Sequence, residues 1–148
     1  MMGIMDLHIP PNARICLDTA PVIYSVEKIV PYWELMIPLW ESARKNDLQL
    51  VGSELLLLET LVKPLQQSNK RLETLFMKLL TTSDIQLEPI SADILQLAAQ
   101  LRATNKLKTP DAIHLATAIH LKSDFFITND KRLATIKNIP VLVLNDYM

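Results

Sequence analysis

Glycine is almost missing from this chain: Gly3 and Gly52 are the only two in 148 residues. No Gly-x-Gly-x-x-Gly turn can be built from them, so a Rossmann cofactor enzyme is a poor fit. Cysteine is scarcer still, with Cys16 alone, which excludes an internal disulfide and leaves no Cys/His cluster for a structural zinc. Its place in the run Ile15-Cys16-Leu17 suits a buried thiol in a reducing compartment, and a cytoplasmic location is expected. Charge of one sign is also lacking. Lys and Arg number 15 against 16 Asp and Glu, a net charge of −1, so any nucleic-acid binding must come from a local patch. Apolar runs such as Leu55 to Leu58 and Val141 to Leu144 fall far short of the roughly 20 residues of a membrane span. Met1 to Asn12 lacks the basic start and apolar stretch of a secretory leader.

Apolar material, by contrast, is ample. Hydrophobic residues make up 49% against 21% charged, enough to fill a core without staples. No repeat, low-complexity tract or Gly/Ser linker interrupts the chain, so residues 1–148 are expected to form a single domain. Arg14 to Leu17 reads as a strand that stops at Asp18-Thr19, with Pro21 in the first turn of a helix. Tyr32 to Asn46 predicts one bent helix or two short ones around Pro38. Leu48 to Val51 predicts a strand. Ser53 then caps a helix with a core stripe of Leu55, Leu58, Leu61 and Val62, ended by Pro64. A helix over Asn69 to Leu80 and a strand over Ile85 to Leu87 follow, and Ser91 caps a helix carrying Ile94, Leu97, Ala98 and Leu101. Thr109-Pro110 opens an Ala-rich, largely buried helix, and Phe125 to Ile127 and Val141 to Leu144 are continuous apolar runs of the kind found in parallel strands covered on both faces. Strands alternating with helices give an α/β fold, an α/β/α sandwich around a mainly parallel sheet.

In such sheets the carboxyl ends of strands and the starts of helices converge on a crevice where ligands bind. Asp18 ends the first strand, Asp111 begins the Thr109 helix and Asp130 follows Phe125 to Thr128. Glu59 lies one to two turns into the Ser53 helix. Each has a plain structural alternative: Asp18 and Asp111 as helix caps, Asp130 as a turn residue, Glu59 on an exposed helical face. Gathered together, however, carboxylates repel one another, and a site that holds them makes best sense with a divalent cation. Oxygen-only ligands favour Mg²⁺ or Mn²⁺, and magnesium completes its shell with water and phosphate oxygens, which points to phosphate chemistry.

Four segments then carry a resemblance: Ile15-Cys16-Leu17-Asp18-Thr19-Ala20, Ser53-Glu54-Leu55-Leu56-Leu57-Leu58-Glu59-Thr60-Leu61, Thr109-Pro110-Asp111-Ala112-Ile113-His114-Leu115-Ala116-Thr117-Ala118 and Phe126-Ile127-Thr128-Asn129-Asp130. In order and approximate spacing they resemble the PIN domain, especially the VapC-like toxin ribonucleases, over Arg14 to about Leu144. The resemblance implies a metal-dependent endoribonuclease with Asp18, Glu59, Asp111 and Asp130 as catalytic acids and metal ligands. Glu59 matches the family acid better than its neighbour Glu54. Thr19 and Thr128 match positions that orient the site, and Asn129 or Asp130 would reach the metal through water. The implied reaction is in-line attack of a metal-activated water on an RNA phosphodiester. A cognate antitoxin protein and a homodimer are the implied partners, with the aromatic stretch Tyr32 to Trp40 as a contact surface for either.

His114, three residues after Asp111 and on the same helical face, is either an acid/base or supporting group or a packed core residue, the latter being the ordinary case. Trp33, Trp40, Phe76 and Met77 fit core or interface packing. Between Arg102 and Lys137 seven basic and three acidic residues leave a local charge of +4. Lys106, Lys108, Lys131 and Arg132 flank the acids and are candidates for holding RNA phosphates. The competing reading is a catalytically inactive PIN-like module that binds RNA or protein. A haloacid-dehalogenase phosphatase fits poorly, because Asp18 is followed by Thr19-Ala20 and not by a second aspartate two residues on.

Overall fold

The computed structural model describes residues 9–148. Residues 1–8, which include most of the Met1 to Asn12 stretch, lie outside the described residues. Five strands form one sheet: β1 (Arg14–Leu17), β2 (Gln49–Ser53), β3 (Ile85–Glu88), β4 (Phe125–Thr128) and β5 (Val141–Val143). Their order is β3-β2-β1-β4-β5, and every adjacent pair is parallel. Six helices cover it: α1 (Thr19–Glu27), α2 (Tyr32–Arg44), α3 (Leu55–Gln66), α4 (Lys70–Leu80), α5 (Ala92–Thr104) and α6 (Thr109–His120). Single 3-10 turns span Lys131–Thr135 and Leu144–Tyr147.

Alternation along the strands sorts the core into two layers. Ile15, Leu17, Leu50 and Ile127 pack on one face with Val22, Met36, Leu39, Leu56 and Phe76 from α1 to α4. Cys16, Val51 and Phe126 point the other way, against Ile94, Ala98 and Leu101 of α5 and the buried run Ala112 to Ala118 of α6. This is the expected α/β/α sandwich. β1 lies in the middle, and the chain leaves it first toward β2 and later returns on its other side as β4. The crevice at the carboxyl ends of β1 and β4 is therefore the natural place for a site.

Tyr32 to Arg44 is a single helix with Pro38 inside it, one of the two forms expected. Several other local expectations are corrected. On α3 the apolar stripe has a different phase: Leu58 and Val62 are 61% and 43% exposed, whereas Leu56, Thr60 and Pro64 are buried. Four consecutive leucines give every face of the first turn an apolar residue, so spacing could not select the inward one. Pro64 does not end the helix either, which runs to Gln66. Ser53 is the last residue of β2 and not the cap, although its hydroxyl still accepts from Leu55 N at 3.0 Å. Lys108 holds the cap position of α6 and Thr109 is its first residue. Met77, expected to pack, is 39% exposed.

Gly52 answers a packing need. A Cβ there would stand 2.5 Å from Leu56 Cδ1, so its absence lets the first turn of α3 settle against the end of β2. The Tyr32 to Trp40 stretch, with Trp33, Ile37 and Trp40 facing Leu75 and Leu79 of α4, lines a groove of about 400 Å³ on the α1/α2/α4 side.

Candidate active site

Asp18 leaves β1 with its own amide still in the sheet ladder, donating to Ile127 O at 2.9 Å. Its backbone is extended, as the cap position of α1 requires, and Oδ1 accepts from Thr19 N at 2.8 Å. Oδ2 accepts from the hydroxyl of Thr128 at 2.7 Å. Thr128 is fully buried at the end of β4 and in turn accepts from Asp130 N at 3.1 Å. The plain reading of Asp18 is therefore present, since it caps α1, and its two oxygens are held by donors from two different segments.

Glu59 reaches the same crevice from α3. Its Oε1 accepts from the Thr19 hydroxyl at 2.6 Å and lies 2.6 Å from His114 Nε2. His114 Nε2 is also 3.2 Å from Thr19 Oγ1 and 3.8 Å from Asp18 Oδ1. The imidazole is buried and its Nδ1 has no partner, so the proton belongs on Nε2, where Glu59 accepts it. Burial works to raise the Glu59 carboxyl, but the hydrogen bonds from His114 and Thr19 outweigh it and hold the group below its ordinary value. The packed and the supporting readings of His114 are both present in one residue. Glu54 stays apart, exposed at the start of α3 with no side-chain capping bond.

Asp111 sits in the first turn of α6, one turn before His114. Burial raises its carboxyl, and the charges of Asp18 and Asp130 raise it further. No hydrogen-bond donor offsets this among the described residues. Asp130 is the reverse case. It caps the Lys131–Thr135 turn through Arg132 N at 3.0 Å, and its two oxygens take the guanidinium of Arg132 at 2.6 to 3.2 Å. Those bonds hold the Asp130 carboxyl below its ordinary value, with a smaller contribution from Lys108.

Asn129 points out of the cluster: Nδ2 donates to Tyr24 OH at 3.1 Å and Oδ1 accepts from Asn145 N at 3.0 Å. Tyr24 stacks on Tyr32 at 4.5 Å between ring centroids, and Tyr32 OH donates to Asn145 Oδ1 at 2.7 Å. Sequence reasoning missed Tyr24 and Asn145 altogether, and no spacing signal marks them, since their contacts join segments far apart in the chain. Lys106, Lys108, Lys131 and Arg132 are all exposed.

Among the described residues, no three His, Cys, Asp or Glu side chains close into a preformed metal cage. The reason is visible in the partners: His114 and Thr19 draw Glu59 to one side, and Arg132 holds Asp130 on the other. What remains is Asp18 and Asp111, two mutually repelling carboxylates, the second without a donor. Magnesium is commonly held by one or two carboxylates with waters filling the rest of its shell, so this donor pair fits such an ion.

Comparison with known proteins gives the context. The chain matches the PIN domain family over residues 15–139. Its fold is similar to that of VapBC2 from Rickettsia felis bound to a promoter DNA fragment, with a TM-score of 0.71 at 14% identity over 88% of this chain and 98% of that one. VapC20 of Mycobacterium tuberculosis, a sarcin-ricin loop cleaving toxin, gives 0.65 at 15% identity over 85% and 98%. A toxin-antitoxin complex from Klebsiella pneumoniae gives 0.65 at 24% identity over 88% and 97%. A comparison with curated protein sequences finds no match. No helix among the described residues is long and apolar enough to cross a membrane. With four acids, each from a different segment, set around the β1/β4 crevice of a five-stranded parallel sheet, and a family match over most of its length, the chain belongs to the PIN domain family.

Proposed function

We propose that this PIN domain is a divalent-metal-dependent endoribonuclease, the toxin of a toxin-antitoxin pair acting in the cytoplasm. The observation that carries the reading is the Asp18/Asp111 pair: a half-buried carboxylate without a donor, raised by burial and then by its neighbour's charge, at the ligand-binding end of a parallel sheet. Asp18 and Asp111 would hold Mg²⁺ or Mn²⁺, which would supply an activated water and neutralise charge on the phosphate oxygens. The chain's own groups orient that centre. Thr128 and the Thr19 amide fix the two oxygens of Asp18, while Thr19 and His114 fix Glu59 with one oxygen, Oε2, turned free of both donors. Glu59 would thereby offer a fixed acceptor oxygen at the crevice. Among the described residues no Ser-His-Asp or Cys-His nucleophile set is assembled at the crevice, which favours water as the nucleophile.

Arg132 and Lys108 set positive charge against the acids, and with the exposed Lys106 and Lys131 near them in sequence they are candidates for holding an RNA backbone. An antitoxin partner is supported by the likeness to the Klebsiella and Rickettsia toxin-antitoxin complexes. The Trp33/Trp40 groove offers apolar surface for such a partner or for a second copy in a homodimer. The test is cleavage of mixed tRNA and structured RNA by purified protein in Mg²⁺, Mn²⁺ or EDTA, beside folded Asp18→Asn and Asp111→Asn variants. Metal-dependent cleavage lost in both variants is expected. No cleavage by folded, antitoxin-free wild type in any metal overturns the enzyme and favours a binding module.

A further inference from the structure

A carboxylate that is to ligate a cation needs lone pairs to give, and those of Asp130 are committed. Oδ1 accepts from the amide and Nε of Arg132, each at 3.0 Å, and Oδ2 accepts from Nη2 at 2.6 Å. Arg132 spends Nε and Nη2 on this bond, while Nη1 has no partner among the described residues. A guanidinium is planar, with its donors in a rigid fork. Pinning one edge therefore fixes where the other edge points. Arg132 itself is exposed, its bonds keep it on Asp130, and its charge also acts on Asp111. Lys108, at the cap position of α6, acts on the same carboxylate from the opposite segment.

We propose that Asp130 is a positioning residue and not a metal ligand: it holds Arg132 as a fixed seat for an RNA backbone phosphate beside the one being cleaved, with Lys108 as the second cation. This rests on the nuclease reading above. The physical gain is preorganisation. A free surface arginine loses rotamer freedom when it grips a phosphate, whereas one already clamped by a carboxylate has lost it on folding. Bidentate Arg–phosphate contacts are also the geometry for which a fork with one free edge is suited.

The experiment uses the full chain and its Arg132→Ala, Arg132→Lys, Asp130→Asn and doubly substituted (Asp130→Asn with Arg132→Ala) forms. Mn²⁺ affinity is read by calorimetry without RNA, RNA affinity by filter binding in EDTA across a salt series, and KM and kcat in Mn²⁺. Arg132→Ala should weaken RNA binding and raise KM about tenfold, the scale of one charge-assisted contact, and lower the salt slope by about one. Asp130→Asn should shift RNA binding and KM in the same direction, and the double variant should be no worse than Arg132→Ala, because the two residues act as one unit. Arg132→Lys should recover only part of the affinity. Mn²⁺ should still bind every variant, weaker where the Asp130 charge is removed and no weaker where the Arg132 charge is, because both charges act on Asp111 without this contact being one of the ion's ligands. Loss of Mn²⁺ binding in Asp130→Asn overturns the proposal by making Asp130 a ligand. Unchanged RNA affinity and salt slope in Arg132→Ala overturns it equally. If wild type binds RNA but cleaves none, the nuclease reading falls while the filter-binding series still decides the seat; if it binds no RNA, both fall.

Discussion

Replacing Asp111 with asparagine separates what the folded protein tolerates from what the metal requires. In the structure the Asp111 carboxyl is raised by burial and by the charges of Asp18 and Asp130. An acid whose folded value exceeds its unfolded one makes stability fall as pH rises from the ordinary carboxyl range through the raised value, because the folded state binds more protons in that window. At neutral pH the cost is fully present. Asp111 is half-exposed, so solvent screening limits it to about 0.5–1 kcal/mol, the scale of exposed charge pairs. Asp111→Asn keeps the shape and removes the charge, and in EDTA at pH 7 it should raise the melting temperature by about 1–4 °C for a domain of this size. Bound ion reverses the order. At a concentration one hundred times its dissociation constant, Mn²⁺ stabilises wild type by about 2.7 kcal/mol, or roughly 5–10 °C, and the variant by much less. Calorimetric scans in EDTA and in saturating Mn²⁺ should therefore cross, with the variant more stable in the first and wild type in the second. In EDTA the advantage should vanish as pH falls below the ordinary carboxyl range. A variant less stable than wild type in EDTA, or equally stabilised by Mn²⁺, would refute the reasoning.

Other outcomes follow from single contacts. His114→Leu removes the donor at 2.6 Å from Glu59 and should cost about 1.5–3 kcal/mol in urea unfolding, while His114→Gln, which keeps an N–H near that position, should recover part of it. Glu59 is held below its ordinary value, so its contribution is present above the unfolded carboxyl range and lost as pH falls through the folded value; the acid limb of the stability profile should be shallower in His114→Leu. Cys16 is fully buried, and burial with Asp18 nearby pushes its thiol far up, so a thiol reagent should label it at the rate of global unfolding and no faster. Gly52→Ala brings a methyl onto Leu56, which is fully buried, and should destabilise by about 1–3 kcal/mol with a matching loss of cleavage as α3 and Glu59 shift.

The strands were legible because Ile15 to Leu17 and Phe125 to Ile127 are apolar on both sides, which only a covered parallel sheet tolerates. That same rule places Asp18 just after β1 and Asp130 just after β4 from sequence alone. Where every face is apolar, as in Leu55 to Leu58, periodicity carries no phase, and the inward side of α3 was read wrongly. The acids' partners were harder still. The Glu59–His114 bond joins residues 55 positions apart, and the Asp130–Arg132 clamp depends on a 3-10 turn whose sequence looks like ordinary loop chemistry. Composition identified the charges in the neighbourhood without saying which of them cancel.

The hydroxyl of Thr128 on Asp18 has a temporal meaning. It links residues 110 positions apart, and the strand that carries it enters the sheet only after β1, β2 and β3 have been made. A ribosome that has released the first hundred residues or so holds a chain with Asp18 and Glu59 but no Asp111 helix and no β4 to orient them. Such long-range closure is slow to form and complete only late. An acidic site built on it would be complete only once every segment through β4 has left the ribosome and closed onto β1.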